Sequence, residues 1–131
     1  MVSSPAWTGD SRLKVLIADD DRLVRTMVSD LLAELGHAVV EAANGLEAVA
    51  VCEREVPDLV ILDLLMPRLS GLDALQRLRR KGVRTPAVLL TAISGGSFRS
   101  LDGADEVDVV LEKPVTRRGL ERALTRATQG R

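Results

Sequence analysis

The stretch VLIADDDRLVR, Val15 to Arg25, sets four apolar residues directly before three carboxylates. Val15 to Ala18 has the continuous apolar character of a strand covered on both faces, as in a parallel sheet. Asp19, Asp20 and Asp21 then crowd like charges at its end. Such charges repel, and partial burial adds a desolvation cost. Either the three lie on a wet loop without consequence, or something cationic holds them together.

The same arrangement recurs outward from this stretch. Short apolar runs VLIA (15–18), AVVEA (38–42), LVIL (59–62), AVLL (87–90) and VDVVL (107–111) alternate with segments of helical period. Over 22–35, Leu23, Val24, Met27, Val28, Leu31, Leu32 and Leu35 form one apolar stripe, and Gly36 marks its end. Asn44-Gly45 opens a second helix, with Leu46, Val49 and Ala50 expected to face inward. Leu72, Leu75 and Leu78 recur through 71–81, which Gly82 closes, and Leu120, Ala123, Leu124 and Ala127 mark the inner face of 116–128. A fourth helix belongs in 94–106, SGGSFRSLDGADE. Each mid-helix glycine costs about 1 kcal/mol against alanine, so a short or irregular helix is expected there. The alternation predicts an α/β fold, (βα)5, a doubly wound parallel sheet with strand 2 at an edge.

At 131 residues with 46% hydrophobic content, the chain suits one domain with a real core, and 2% aromatics makes that core Leu, Val and Ala. A net charge of −1 argues against a bare electrostatic grip on nucleic acid or an anionic membrane. No apolar run reaches membrane-spanning length. Residues 1–12, MVSSPAWTGDSR, lack the basic start and apolar stretch of a secretory signal. They read as a flexible tail, Trp7 included, ahead of a domain over 13–131. The lone Cys52 allows no intrachain disulfide and fits a reducing, cytoplasmic setting.

In a doubly wound sheet, ligands bind beyond the C-terminal ends of the strands. Those ends carry Asp19-Asp20, Asp63, Thr91-Ala92 and Lys113-Pro114. This answers the opening question. Asp19, Asp20 and Asp63 at one rim call for a hard cation. Oxygen-only ligands without nearby His or Cys argue for Mg2+ over zinc. Lys113 suits a phosphate, Thr91 can donate a hydrogen bond to a phosphoryl oxygen, and a carboxylate can act as nucleophile. The set reads as a phosphoryl-transfer constellation.

The segments IADDD, DLVILDLLMPRLSGLDAL, LLTA and LEKP, in that order, resemble the receiver domain of bacterial two-component response regulators over about residues 13–128. The resemblance implies the CheY-like, flavodoxin-like strand order 2-1-3-4-5. It implies that Asp63 accepts a phosphoryl group from a phosphohistidine of a sensor histidine kinase or phosphotransfer protein. Asp20 would be a direct Mg2+ ligand, Asp19 would act through a metal-bound water, and Leu65 would lend its backbone carbonyl. Thr91 matches the switch hydroxyl, the Ala92 N–H should face the phosphoryl group, and Lys113 matches the phosphate-binding lysine before an often cis proline. Asp21 falls outside the pair and is expected to cap a helix. Expected with these roles are a downstream protein partner, a monomer or weak dimer, no direct nucleic acid or membrane contact, and no enzymatic activity beyond self-catalysed phosphotransfer and slow autodephosphorylation.

Two departures stand out. The family commonly has Tyr or Phe three residues before the lysine, where this chain has Val110, and segment 94–106 is glycine-rich. Both favour, to some extent, an alternative in which the chain is a pseudo-receiver, an interaction module without phosphorylation. Leu65 and Ile93 cannot orient an attacking water, so slow dephosphorylation is expected. His37 reads as a loop or surface residue, Cys52 as a packing residue, and Asp58 and Asp73 as solvated.

Overall fold

The apolar runs become five parallel strands in the computed structural model, which describes residues 12–93 and 97–129. In chain order the elements are β1 (Lys14–Ala18), α1 (Arg22–Glu34), β2 (Ala38–Ala42), α2 (Gly45–Glu55), β3 (Leu59–Asp63), α3 (Gly71–Arg80), β4 (Ala87–Thr91), β5 (Val109–Glu112) and α4 (Arg117–Gln129). The sheet order is β2-β1-β3-β4-β5, all parallel, as expected. The expected fourth helix is reduced to two 3-10 turns, Ser97–Ser100 and Ala104–Glu106, with Gly103 at φ 92° between them. The tail expectation, with Trp7, falls on residues 1–11 and so lies outside the described residues apart from Arg12.

Alternation along the strands divides the core. Val15, Ile17, Leu59, Ile61, Val88 and Leu90 pack under α1 and α4. Leu16, Ala18, Val60 and Leu62 pack under α2 and α3. β3 and β4 are buried at every residue, which is why their sequences are continuous rather than alternating. The Asp21 carboxylate accepts from the Leu23 N–H at 2.9 Å and starts α1. Gly36, at φ 93°, ends it in the conformation glycine adopts without strain.

The helix faces depart from expectation at particular residues. On α1, Val28 and Leu32 are buried, but Leu23 is 81% and Met27 38% exposed. The amino-terminal turns of α1 therefore carry apolar side chains that the sheet does not cover. On α2, Val49 faces inward, but Leu46 and Ala50 are exposed, and Ala48, Val51 and Cys52 supply the rest of the inner face. Six of the seven residues 46–52 are apolar, so the period alone cannot choose a face. Gly45 chooses it, because a Cβ there would collide with the Leu69 backbone. His37 lies in a loop but is buried, its Nδ1 accepting from the Leu13 N–H at 3.0 Å. Burial first, and the charge of Arg12 second, hold its pKa below the usual histidine value. Cys52 packs in the core, where burial pushes its thiol pKa up. Asp58 and Asp73 are exposed, as expected, though Asp58 also accepts from the Lys14 N–H at 2.8 Å.

Candidate acidic site at the carboxyl ends of the strands

Register brings the acids together. Ala18 pairs with Leu62, so the next residues, Asp19 and Asp63, leave β1 and β3 side by side. Ligand oxygens of Asp19, Asp20 and Asp63 all lie within 4.8 Å of one another. Asp19 is fully buried, Asp63 nearly so, and Asp20 is exposed.

Asp19 is fixed on three sides. Its N–H bonds the Ala42 carbonyl at 3.1 Å, its carbonyl accepts from the Arg25 guanidinium at 2.8 Å, and its Oδ1 accepts from the Asp21 N–H at 2.8 Å. Only Oδ2 is left over. It lies 3.2 Å from Lys113 Nζ as an ion pair but receives no well-directed hydrogen bond. A buried carboxylate oxygen of this kind, grouped with two other carboxylates and no His or Cys, fits a hard divalent cation.

Asp63 Oδ2 accepts from Lys113 Nζ at 3.4 Å. Burial first, and the neighbouring Asp19 charge second, raise the Asp63 pKa to about 6, while Lys113 pulls it down. Burial alone would lower the Lys113 pKa, but attraction to Asp63 and Asp19 outweighs it, so the ammonium stays protonated at neutral pH. Lys113 is carried past the end of β5 by a hydrogen bond from its N–H to the Thr91 carbonyl at 2.8 Å, and the Lys113–Pro114 bond is cis.

Thr91 closes β4, buried, with its Oγ1 accepting from the Ile93 N–H at 2.9 Å. That bond leaves the hydroxyl proton available to donate. Ala92 follows in an exposed bend. Leu65 is 67% exposed and, with Asp20, Met66, Pro67 and Ser70, lines an open cleft of about 290 Å³ beside the acids. Larger grooves lie elsewhere on the surface, away from the carboxylates.

Three supporting residues were not singled out from the sequence. Arg25 holds the Asp19 carbonyl and also pairs with Glu41 at 2.9 Å. Its place one turn into α1, just after three aspartates, was the available signal. Gly71 begins α3 against the end of β3, where a Cβ would strike the Asp63 carbonyl. Phe98 is buried among Leu64, Leu72, Leu89 and Ala104, with Val107 and Val110 packed alongside. The ring absent at position 110 is thus matched by one from the neighbouring 3-10 turn, a contact that only the tertiary fold makes visible.

The response regulator receiver domain family matches residues 15–125 of the chain. The chain belongs to this family. It is 45% identical over 96 residues to the transcriptional regulatory protein PdtaR of Mycobacterium tuberculosis, covering 71% of this chain and 46% of that protein. The chain spans about half the length of the curated relatives it matches. Among solved structures, the chemotaxis response regulator CheY4 of Vibrio cholerae superposes with a TM-score of 0.83 at 30% identity, covering 89% of this chain and 99% of that one. The receiver domain of the sensor histidine kinase PA1611 of Pseudomonas aeruginosa superposes with a TM-score of 0.80 at 29% identity, over 90% and 98% of the two chains. That neighbour has a magnesium ion coordinated in its active-site cleft. The chain is therefore a CheY-like receiver domain of the two-component type. No helix among its described residues is long and apolar enough to cross a membrane.

Proposed function

We propose that Asp63 is the phosphoacceptor of a two-component relay, taking a phosphoryl group from the phosphohistidine of a sensor kinase or phosphotransfer protein with Mg2+ bound. One observation carries this reading. A nearly buried carboxylate stands between two further carboxylates and an ammonium, all at the carboxyl ends of the strands. Neutralising that much negative charge without a cation is unfavourable, and Asp19 Oδ2 is a ligand oxygen already turned inward.

Asp19, Asp20 and Asp63, with the Leu65 carbonyl, would hold the cation. When bound, it supplies positive charge that offsets the carboxylates and the transferring phosphoryl oxygens. The chain's own groups do the rest. An Asp63 oxygen bonds to phosphorus as the phosphorus–nitrogen bond of the donor breaks. Lys113 keeps the incoming charge paired, turning from the carboxylates to a phosphoryl oxygen. Thr91 donates its hydroxyl proton, and the Ala92 N–H lies in the next peptide. Leu65 and Ile93 offer no polar atom to align a hydrolytic water, so the acyl phosphate is long-lived. The receiver unit is assigned to 13–131, and a downstream protein partner reads its state.

Incubation of the chain with Mg2+ and acetyl phosphate tests the reading by intact mass. One phosphoryl mass should appear, vanish with chelator, and be missing in Asp63→Asn. A wild-type chain that stays unmodified under conditions where a control receiver is phosphorylated would instead support the pseudo-receiver alternative.

A further inference from the structure

Arg25 ties α1 to the strand ends at two points. Its Nη1 donates to the Asp19 carbonyl at 2.8 Å, and its Nε donates to Glu41 Oε1 at 2.9 Å. The other Glu41 oxygen accepts from the Ser29 hydroxyl at 3.1 Å. Ser29 follows Arg25 by one helical turn, so the two side chains leave the same face of α1. Glu41 lies on β2, in register with Ile17 of β1. The guanidinium is thus clamped from the sheet side and mostly shielded, with 17% of the side chain exposed.

The carbonyl it holds belongs to the peptide that joins Asp19 to Asp20. A peptide is planar, so a bond to that oxygen also orients the Asp20 nitrogen and Cα. Sheet bonding gives out at this point. The Asp19 N–H takes the Ala42 carbonyl, and the chain then leaves β1. The Asp20 carboxylate is exposed and has no hydrogen bond or ion pair among the described residues, so its backbone alone places it. The Asp21 N–H donates to Asp19 Oδ1 from the far side of the same short turn, which leaves Oδ2 turned inward.

We propose that Arg25, clamped by Glu41, is a positioning residue for the cation, fixing the Asp19–Asp20 peptide so that both carboxylates converge on one point. This role rests on the acidic rim being a Mg2+ site. Charge alone predicts the reverse effect. A guanidinium this near the rim repels a second cation, so its removal would tighten Mg2+ binding, and Glu41 offsets only part of that repulsion. Orientation and charge therefore act with opposite sign on the same measurement. A helix-supporting role predicts neither. The Arg25 N–H bonds the Asp21 carbonyl at 3.0 Å whatever the side chain, and glutamine is as good a helix former as arginine.

Mg2+ titrations of the full chain, followed through its amide resonances, test the role, with circular dichroism to confirm that each variant is folded. In the wild type, the amides of Asp19 to Asp21 and of Asp63 should shift and saturate. Arg25→Gln should raise the half-saturating Mg2+ concentration at least about tenfold, the scale of losing a group that orients a metal ligand. Arg117→Gln removes an exposed guanidinium paired with Glu34 and should change nothing. A second readout needs no cation. In EDTA, the Asp21 amide should exchange with water several-fold faster in Arg25→Gln, while the amides of Leu16 and Ile61 keep their protection. Glu41→Ala unclamps the guanidinium but keeps its charge, and should speed the same amide. Unchanged or tighter Mg2+ binding in Arg25→Gln would overturn the positioning role and leave the site intact. Faster exchange spread evenly over the sheet would overturn it as well. A wild type with no Mg2+-dependent shift would overturn the cation site itself, and this role with it.

Discussion

Replacing Asp63 with Asn should make the cation-free protein more stable, which is unusual for the loss of a residue that pairs with a lysine. The cause lies in the surroundings of the carboxylate. Burial and the Asp19 charge outweigh Lys113 and lift the Asp63 pKa from 3.8 to about 6. The folded state therefore binds a proton that the unfolded chain releases between about pH 4 and pH 6. Where the native state holds more protons, stability falls as pH rises, so this contribution declines through that window and stays low above it. A shift of that size corresponds to about 3 kcal/mol of destabilisation at neutral pH. Asn keeps the shape and removes the charge but also gives up the Lys113 contact, so a net gain of about 2 kcal/mol is expected. Urea unfolding followed by circular dichroism, with EDTA present and in steps from about pH 4 to pH 7.5, measures it. The variant should be the more stable at pH 7.5, and its advantage should shrink toward zero near pH 4. Millimolar Mg2+ should close the gap from the other side, by stabilising the wild type. An Asp63→Asn protein no more stable than wild type at pH 7.5, or a difference constant across pH, would refute the electrostatic account of the site.

Other substitutions probe the surroundings. Leu65→Asn adds a polar group on an exposed position beside the cleft, and should shorten the acyl-phosphate lifetime several-fold in a timed mass measurement; an unchanged lifetime would contradict the role given to Leu65. Gly71→Ala drives a methyl into the Asp63 carbonyl, and should cost about 1–3 kcal/mol in urea unfolding while weakening Mg2+ affinity by calorimetry. Phe98→Ala empties a buried site and should cost about 3–4 kcal/mol, whereas Phe98→Leu should recover most of that.

The strands were legible because their burial is nearly complete. LVIL and AVLL are continuous in sequence for the reason that β3 and β4 have no solvent face. The candidate site was legible for a related reason: ligands gather where strands end, so the residues just past the apolar runs pointed to Asp19, Asp20, Asp63, Thr91 and Lys113, of which the three carboxylates and Lys113 lie close together. Rotation of a helix about its axis was harder. On α2 the choice between Leu46 and Ala48 rests on Gly45 meeting the Leu69 backbone, a contact between residues far apart in sequence. His37 lies in a loop, as read, but its burial goes with a hydrogen bond from the Leu13 N–H, far off in sequence, which no local pattern shows. Phe98 acts through tertiary neighbours, Leu64, Leu72 and Leu89, and no local pattern marks it; Arg25 acts on the Asp19 carbonyl, and only its place just after three aspartates pointed to it.

The solitary phenyl ring in the described part of the fold has a practical consequence. The chain has no tyrosine, its one tryptophan is Trp7, and its one phenylalanine is Phe98, packed against Leu64 and Leu89, which neighbour Asp63 and lie on the strand of Thr91. Biosynthetic labelling with fluorophenylalanine would therefore yield a spectrum of a single line. Any rearrangement at the junction between the acidic rim and the edge strand could be followed through that one resonance, with no assignment step.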